Sequence, residues 1–229
     1  MKYLRFILLF NLLLSFSANA LLEVNILKSK EAAFPIVIAP FEVIGDSKDN
    51  VDIAKIIRDN LNRSGQFSAL STDSLVTNQI DFNFWKEHKK DAVVFGKVEQ
   101  ISPKVYNIYI YIYDVFSEKS LYQKKITVSN TGFRRMAHFL SDKIYYVLLG
   151  QKGSFNTRLS YVTVTDNNSG GRTYRLQISD SDGENPQTIV RQSNPILSPA
   201  WSKDQQKLAY VSFKNNRSEV FVMTPFLKT

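Results

Sequence analysis

Cysteine is absent from all 229 residues, which rules out disulfide staples, thiolate nucleophiles and cysteine-based metal sites. Histidine is nearly absent: His88 and His138 are the only two, on separate stretches of helical periodicity, and each reads as a surface or internally satisfied helix residue rather than a ligand. The chain has no Ser-His-Asp spacing, no phosphate-cradling glycine loop and no HExxH. These absences leave no catalytic constellation and no cofactor or metal site to expect. Long apolar runs are also missing: beyond the N-terminus no segment is apolar enough to cross a membrane. Lys and Arg outnumber Asp and Glu by 29 to 21, but the densest basic clusters are the pairs Lys89-Lys90, Lys124-Lys125 and Arg134-Arg135. A basic total without a basic stripe argues against a nucleic-acid partner.

What is present begins with a leader. Lys2 and Arg5 form a positive start, residues 6–16 (FILLFNLLLSF) an apolar segment, and Ala18 and Ala20 are the small residues a signal peptidase reads. That apolar segment is too short to span about 30 Å of hydrocarbon. Residues 1–20 are therefore expected to be a signal peptide cleaved after Ala20, leaving a mature chain with no inserted segment outside the cytoplasm. Residues 21–33 (LLEVNILKSKEAA) predict an extended segment able to add to another protein's sheet edge.

Residues 34–150 read as one α/β domain. FPIVIAPF (34–41) is a continuous apolar run, the pattern of a strand buried on both faces. Val51, Ala54, Ile57 and Leu61 mark a helix face, with Asp49 or Asn50 as its cap and Gly65 at its stop. A short helix is predicted over 83–89 and a strand over 91–98. In VYNIYIYIYDVF (105–116) isoleucine and tyrosine alternate, giving a strand with an aliphatic face and a tyrosine face. Another strand follows over 121–128, then a helix over 133–149 that Gly150 ends.

From residue 155 to 229 helical periods vanish, and short strands separated by turn signals take over. Leu159 aligns with Leu208 and Leu176 with Val220, at offsets of 49 and 44 residues. A repeat of that length, built from short strands, is the signature of a β-propeller blade. DSDGEN (180–185) opens like a calcium loop, but its glycine arrives at the fourth position and the twelfth is Arg191. A turn whose Asp and Gly accept left-handed geometry is the expectation instead. Trp201 reads as blade core.

LSPAWSKDQQKLAYVS (197–212), DSDGEN and NRSEVFVM (216–223) resemble the propeller repeat of the TolB family of the Tol-Pal system. LNRSGQF (61–67), DAVVFGKV (91–98) and the junction GSFNTRLSYV (153–162) are similar to the same family's N-terminal half. The resemblance runs along the whole chain in order. It implies an α/β N-terminal domain followed by an all-β, incomplete propeller, six-bladed in the family. It also implies a monomeric, non-enzymatic periplasmic adaptor of Gram-negative bacteria that joins the inner-membrane protein TolA to the outer-membrane lipoprotein Pal. Such a protein serves outer-membrane constriction at division and envelope integrity. Carried over by residue, Leu21, Leu22, Glu23, Val24, Asn25, Ile26 and Leu27 are the TolA-contact residues, and Pal is expected on the propeller. Two departures stand out: Lys28-Ser29-Lys30 replaces an acidic, glycine-containing stretch, and Gln205 replaces a turn glycine.

About one and a half blades are expected over 155–229, where a closed propeller needs typically four to eight. The chain therefore reads as truncated, with impaired Pal binding and a poorly packed stretch over 158–229. The alternative is an accessory propeller fragment of a secreted enzyme. That reading needs a G-x-S-x-G nucleophile turn, which this sequence does not contain.

Overall fold

The computed structural model describes residues 33–45, 52–73, 75–76, 79–166 and 170–226. The signal-peptide residues Ala18 and Ala20, the segment Leu21 to Leu27 and the expected helix caps Asp49 and Asn50 lie outside them. Among the described residues, twelve strands and three α-helices follow in chain order. They are β1 (Phe34–Ile38), β2 (Glu42–Ile44), α1 (Ile53–Arg63), β3 (Phe67–Leu70), α2 (Phe82–Glu87), β4 (Ala92–Ser102), β5 (Val105–Asp114) and β6 (Ser120–Ser129). After a short 3-10 turn come α3 (Phe133–Leu149), β7 (Arg158–Asp166), β8 (Arg172–Asp180), β9 (Gln187–Gln192), β10 (Ile196–Trp201), β11 (Leu208–Ser212) and β12 (Glu219–Met223).

The first six strands form one mixed sheet in the order β3-β1-β4-β5-β6, with β2 also paired to β4. β1 and β2 lie parallel to successive halves of β4, and β5 and β6 add antiparallel. The alternation in β5 sorts its two faces as the sequence predicts. Ile108, Ile110 and Ile112 are fully buried beneath α1 and α3. Tyr111 and Tyr113 point the other way and stack on Phe95, with ring centroids 5.0 and 6.0 Å apart. Each fully buried aliphatic side chain contributes roughly 1.5–3 kcal/mol, so this face supplies much of the lobe's stability. Gly96 sits in β4 where the Phe41 ring packs against the strand, leaving no room for a Cβ.

Asp52, not Asp49 or Asn50, caps α1: its carboxylate accepts the Lys55 amide at 2.8 Å, the three-residue reach that suits a short acidic side chain. Ala54, Ile57 and Leu61 are buried as predicted, Ile53 is buried with them, and the fourth expected residue, Val51, lies outside the described residues; α3 spans the predicted residues. Gly150 ends α3 at φ +71°, a conformation a side chain disfavours.

The second half holds two three-stranded antiparallel sheets, β7-β8-β9 and β10-β11-β12. Their registers show the repeat directly. Val162 pairs with Leu176 and Leu159 with Ser179, while Val211 pairs with Val220 and Leu208 with Met223. These are the same pairs displaced by the two offsets read from the sequence. The expectation of poor packing is corrected in part. Leu176, Ile178, Ile196 and Leu208 form a buried cluster between the sheets, flanked by Trp201 and Tyr210. The repeat is nevertheless not equivalent in environment: Leu176 is fully buried, whereas Val220 is 72% exposed. Leu176 has the second sheet against it, and among the described residues nothing covers Val220. No helix among the described residues is long and apolar enough to cross a membrane.

Candidate functional site

Arg134, His138 and Asp142 recur every four residues along α3, so they form one polar stripe on a helix whose other face is core. That stripe meets the first propeller sheet. Arg134 donates through Nε to Asp180 Oδ2 at 3.1 Å and through Nη2 to Asp182 Oδ2. Asp142 accepts the backbone amides of Phe155 and Asn156 at 2.8 and 3.1 Å, latching the connecting segment onto the helix. A Cβ on Gly153 would collide with that carboxylate. Ser181 closes the junction by donating its hydroxyl to the Phe155 carbonyl at 2.5 Å.

The acidic partners come from the end of β8 and the turn that follows it. Asp180 accepts from Asn185 Nδ2 at 2.8 Å, and the Gly183 amide donates to the Asp180 carbonyl at 3.0 Å. DSDGEN is thus a self-bonded turn, whose left-handed residues are Gly183 and Asn185 rather than an aspartate, and it also presents two carboxylates to α3. Burial alone would raise the Asp182 pKa. The Arg134 hydrogen bond, the Glu184 amide and the Arg134 charge together outweigh burial and hold it below the ordinary carboxylate value.

His138 departs from its expected role. It is 2% exposed, neither a surface residue nor fully satisfied. Its protonation follows from its neighbours. Arg63 can only donate, so the Asn60 atom facing it at 2.8 Å is the oxygen, and the Asn60 amide nitrogen faces inward. That nitrogen donates to Ser141 Oγ and to His138 Nδ1, both at 2.9 Å, while Ser141 donates onward to the Ala137 carbonyl. Nδ1 is therefore an acceptor, and the proton of the neutral ring sits on Nε2. That atom is buried without a hydrogen-bond partner among the described residues, 3.6 Å from Asp182 Oδ2. Burial lowers the His138 pKa against the opposing pull of Asp182 and Asp180.

His138, Asp180 and Asp182 place potential ligand atoms within 4.8 Å of one another. Their hydrogen bonding disfavours a metal there. Arg134 already engages both carboxylates, and a metal on Nε2 would need that proton moved to Nδ1, against the Asn60 donor. His88, in contrast, is exposed as expected, although it sits just past the end of α2 as its C-cap: its Nδ1 donates to the Phe84 carbonyl at 2.8 Å.

Sequence reasoning saw Arg134 only as half of a basic pair and, although it marked residues 153–162 as the junction, missed Asn60, Asp142 and the side-chain contacts that cross it. The four-residue polar stripe on α3 was the available signal. Ala18, Ala20 and Leu21 to Leu27 lie outside the described residues, and among those described the junction is a polar site that the fold assembles from distant parts of the chain.

The comparisons follow this two-part layout. Residues 22–121 match the model of the TolB amino-terminal domain, and residues 145–227 match that of the TolB beta propeller domain. The chain belongs to the TolB family. It is 57% identical over 211 residues to the Tol-Pal system protein TolB of Ruthia magnifica subsp. Calyptogena magnifica, covering 92% of this chain and 50% of that protein. It is 52% identical to the TolB of Vesicomyosocius okutanii subsp. Calyptogena okutanii, covering 91% of this chain and 49% of that protein. The crystal structure of TolB from Acinetobacter baumannii superposes with a TM-score of 0.73 at 33% identity, over 84% of this chain and 47% of that one. The chain spans about half the length of the curated TolB relatives it matches. In TolB terms, the α3 stripe joins the amino-terminal domain to the first propeller sheet.

Proposed function

We propose that this chain acts in the Tol-Pal system as a non-enzymatic periplasmic adaptor, contacting TolA through residues 21–27 and Pal through its propeller sheets. The observation that carries this reading is the ordered match of one chain to both TolB domains, beside relatives named Tol-Pal system protein TolB. The leader at residues 1–20 supports export to the periplasm of a Gram-negative cell. The junction supports the adaptor role physically. Ion pairs and amide bonds from one helix hold both lobes in a fixed relation, as a protein that transmits position between two partners requires. Outer-membrane constriction at division and envelope integrity are the processes this link would serve.

A pull-down of the chain from Leu21 onward, against the TolA C-terminal domain and against Pal, tests the proposal. A version lacking residues 21–33 is run in parallel. TolA retention that disappears with the deletion is expected. Equal retention by both versions would overturn the assignment of residues 21–27. Pal retention is expected to be weak, because two sheets offer only part of a closed propeller's surface.

A further inference from the structure

Two arginines at the junction have no carboxylate to themselves. Arg134 engages both Asp180 and Asp182. Arg135, the next residue of α3, and Arg158, the first residue of β7, form no ion pair among the described residues. Burial and then the nearby Arg135 charge hold the Arg158 pKa below its ordinary value, against the more distant pull of Asp180. Phe226 lies over the Arg158 guanidinium at 3.8 Å, a contact that uses none of its N–H groups.

A cavity of about 60 Å³ is walled by Arg135, Arg158, His138, Asn156 and Thr157. Asp180 and Gln205 complete its lining. Its size suits a group as large as about two water molecules. Two guanidiniums and the His138 ring form part of its lining; the His138 Nε2–H, closed off from water, has no hydrogen-bond partner among the described residues. The one carboxylate in the wall is already held by Arg134 and Asn185. Two like charges beside a partly dry cavity repel each other, and that repulsion is relieved by a negative group between them. A cation in the same place would add to it.

We propose that this cavity binds a single oxyanion, a carboxylate or phosphate group, between the guanidiniums of Arg135 and Arg158, with the His138 ring in its wall. Arginine forks match such planar or tetrahedral oxygen pairs through two parallel hydrogen bonds. The occupant would touch α3 and β7 at once, so its binding would tie the α/β lobe to the first propeller sheet more firmly. A free ion and an acidic side chain of a bound peptide both carry such a group, and the titration below separates the two.

The chain, labelled with ¹⁵N-histidine, is titrated with sodium phosphate, sodium acetate and acetyl-Gly-Asp-Gly-amide at constant ionic strength held with chloride. The imidazole resonances are the readout. A saturable shift at His138 and none at His88 is expected. Arg135→Gln and Arg158→Gln should each raise the half-saturation concentration about tenfold or more, the scale of one charge-assisted hydrogen bond. Arg135→Lys should fall between wild type and Arg135→Gln, because it keeps the charge but loses the fork. Arg135 is exposed, so its variants keep the fold. Saturation by phosphate alone would identify a free-ion site, and saturation by the peptide as well would admit a side chain. No saturable His138 shift with any of the three, or half-saturation unchanged in both glutamine variants, would overturn the proposal.

Discussion

Arg134→Gln removes the charge that both junction carboxylates face while keeping a side chain of similar reach. Arg134 is 23% exposed at its side chain, Asp180 27% and Asp182 11%. The group is thus neither a solvated surface pair, worth about 0–1 kcal/mol, nor a fully dry one, whose breaking costs about 3–5 kcal/mol. Two charge-assisted bonds are lost and two carboxylates are left close together, partly offset by one bond from the new amide. A destabilisation of about 2 kcal/mol at pH 7 is expected. Urea unfolding followed by near-ultraviolet circular dichroism measures it, and Lys55→Gln supplies the contrast. Lys55 and Asp59 are 62% and 53% exposed, so that variant should lie within about 0.5 kcal/mol of wild type. Acidity adds a second check. Asp182 has a depressed folded pKa, so its contribution is present above the unfolded value of about 3.9 and is lost as pH falls through the folded one. The gap between wild type and Arg134→Gln should therefore shrink below about pH 4. A gap under about 0.5 kcal/mol at pH 7, the surface-pair scale, would refute the view that this contact holds the lobes together.

Asn60→Ala should cost about 2–4 kcal/mol in urea unfolding, since it opens a buried gap and strips His138 Nδ1 and Ser141 of their donor. His138 is neutral in the fold with a lowered pKa, so the unfolded chain binds the extra proton and stability should decline as pH drops from about 6.5. His138→Gln should flatten that slope, and an equally steep decline in the variant would locate it elsewhere. Gly96→Ala should lose about 1–3 kcal/mol through collision with Phe41 and the Tyr109 carbonyl, measurable as a lower melting temperature. Leu176→Ala should cost about 2–5 kcal/mol, whereas Val220→Ala should change stability by under about 0.5 kcal/mol, although the two occupy one repeat position. Equal losses at both would mean that the second sheet does not shield Leu176.

Local pattern determined much of this protein on its own. The isoleucine-tyrosine alternation of β5, the spacing of apolar residues in α1 and α3 and the offsets between the propeller strands were all legible, because each depends on residues close in the chain. The motifs along residues 61–67, 91–98, 153–162 and 197–212 carried the family. Tertiary structure alone decided the rest. Nothing in the local sequence pairs Arg134 with a turn that begins 46 residues later, or places Asn60 against His138 across 78 residues. Hydrogen bonds and ion pairs of that range carry no periodicity, so only the packing of α1 on α3, and of α3 on the first propeller sheet, brings their members together. The same packing separates Leu176 from Val220. One repeat in sequence yields two environments in space, because burial depends on what lies across the sheet and not on the strand itself.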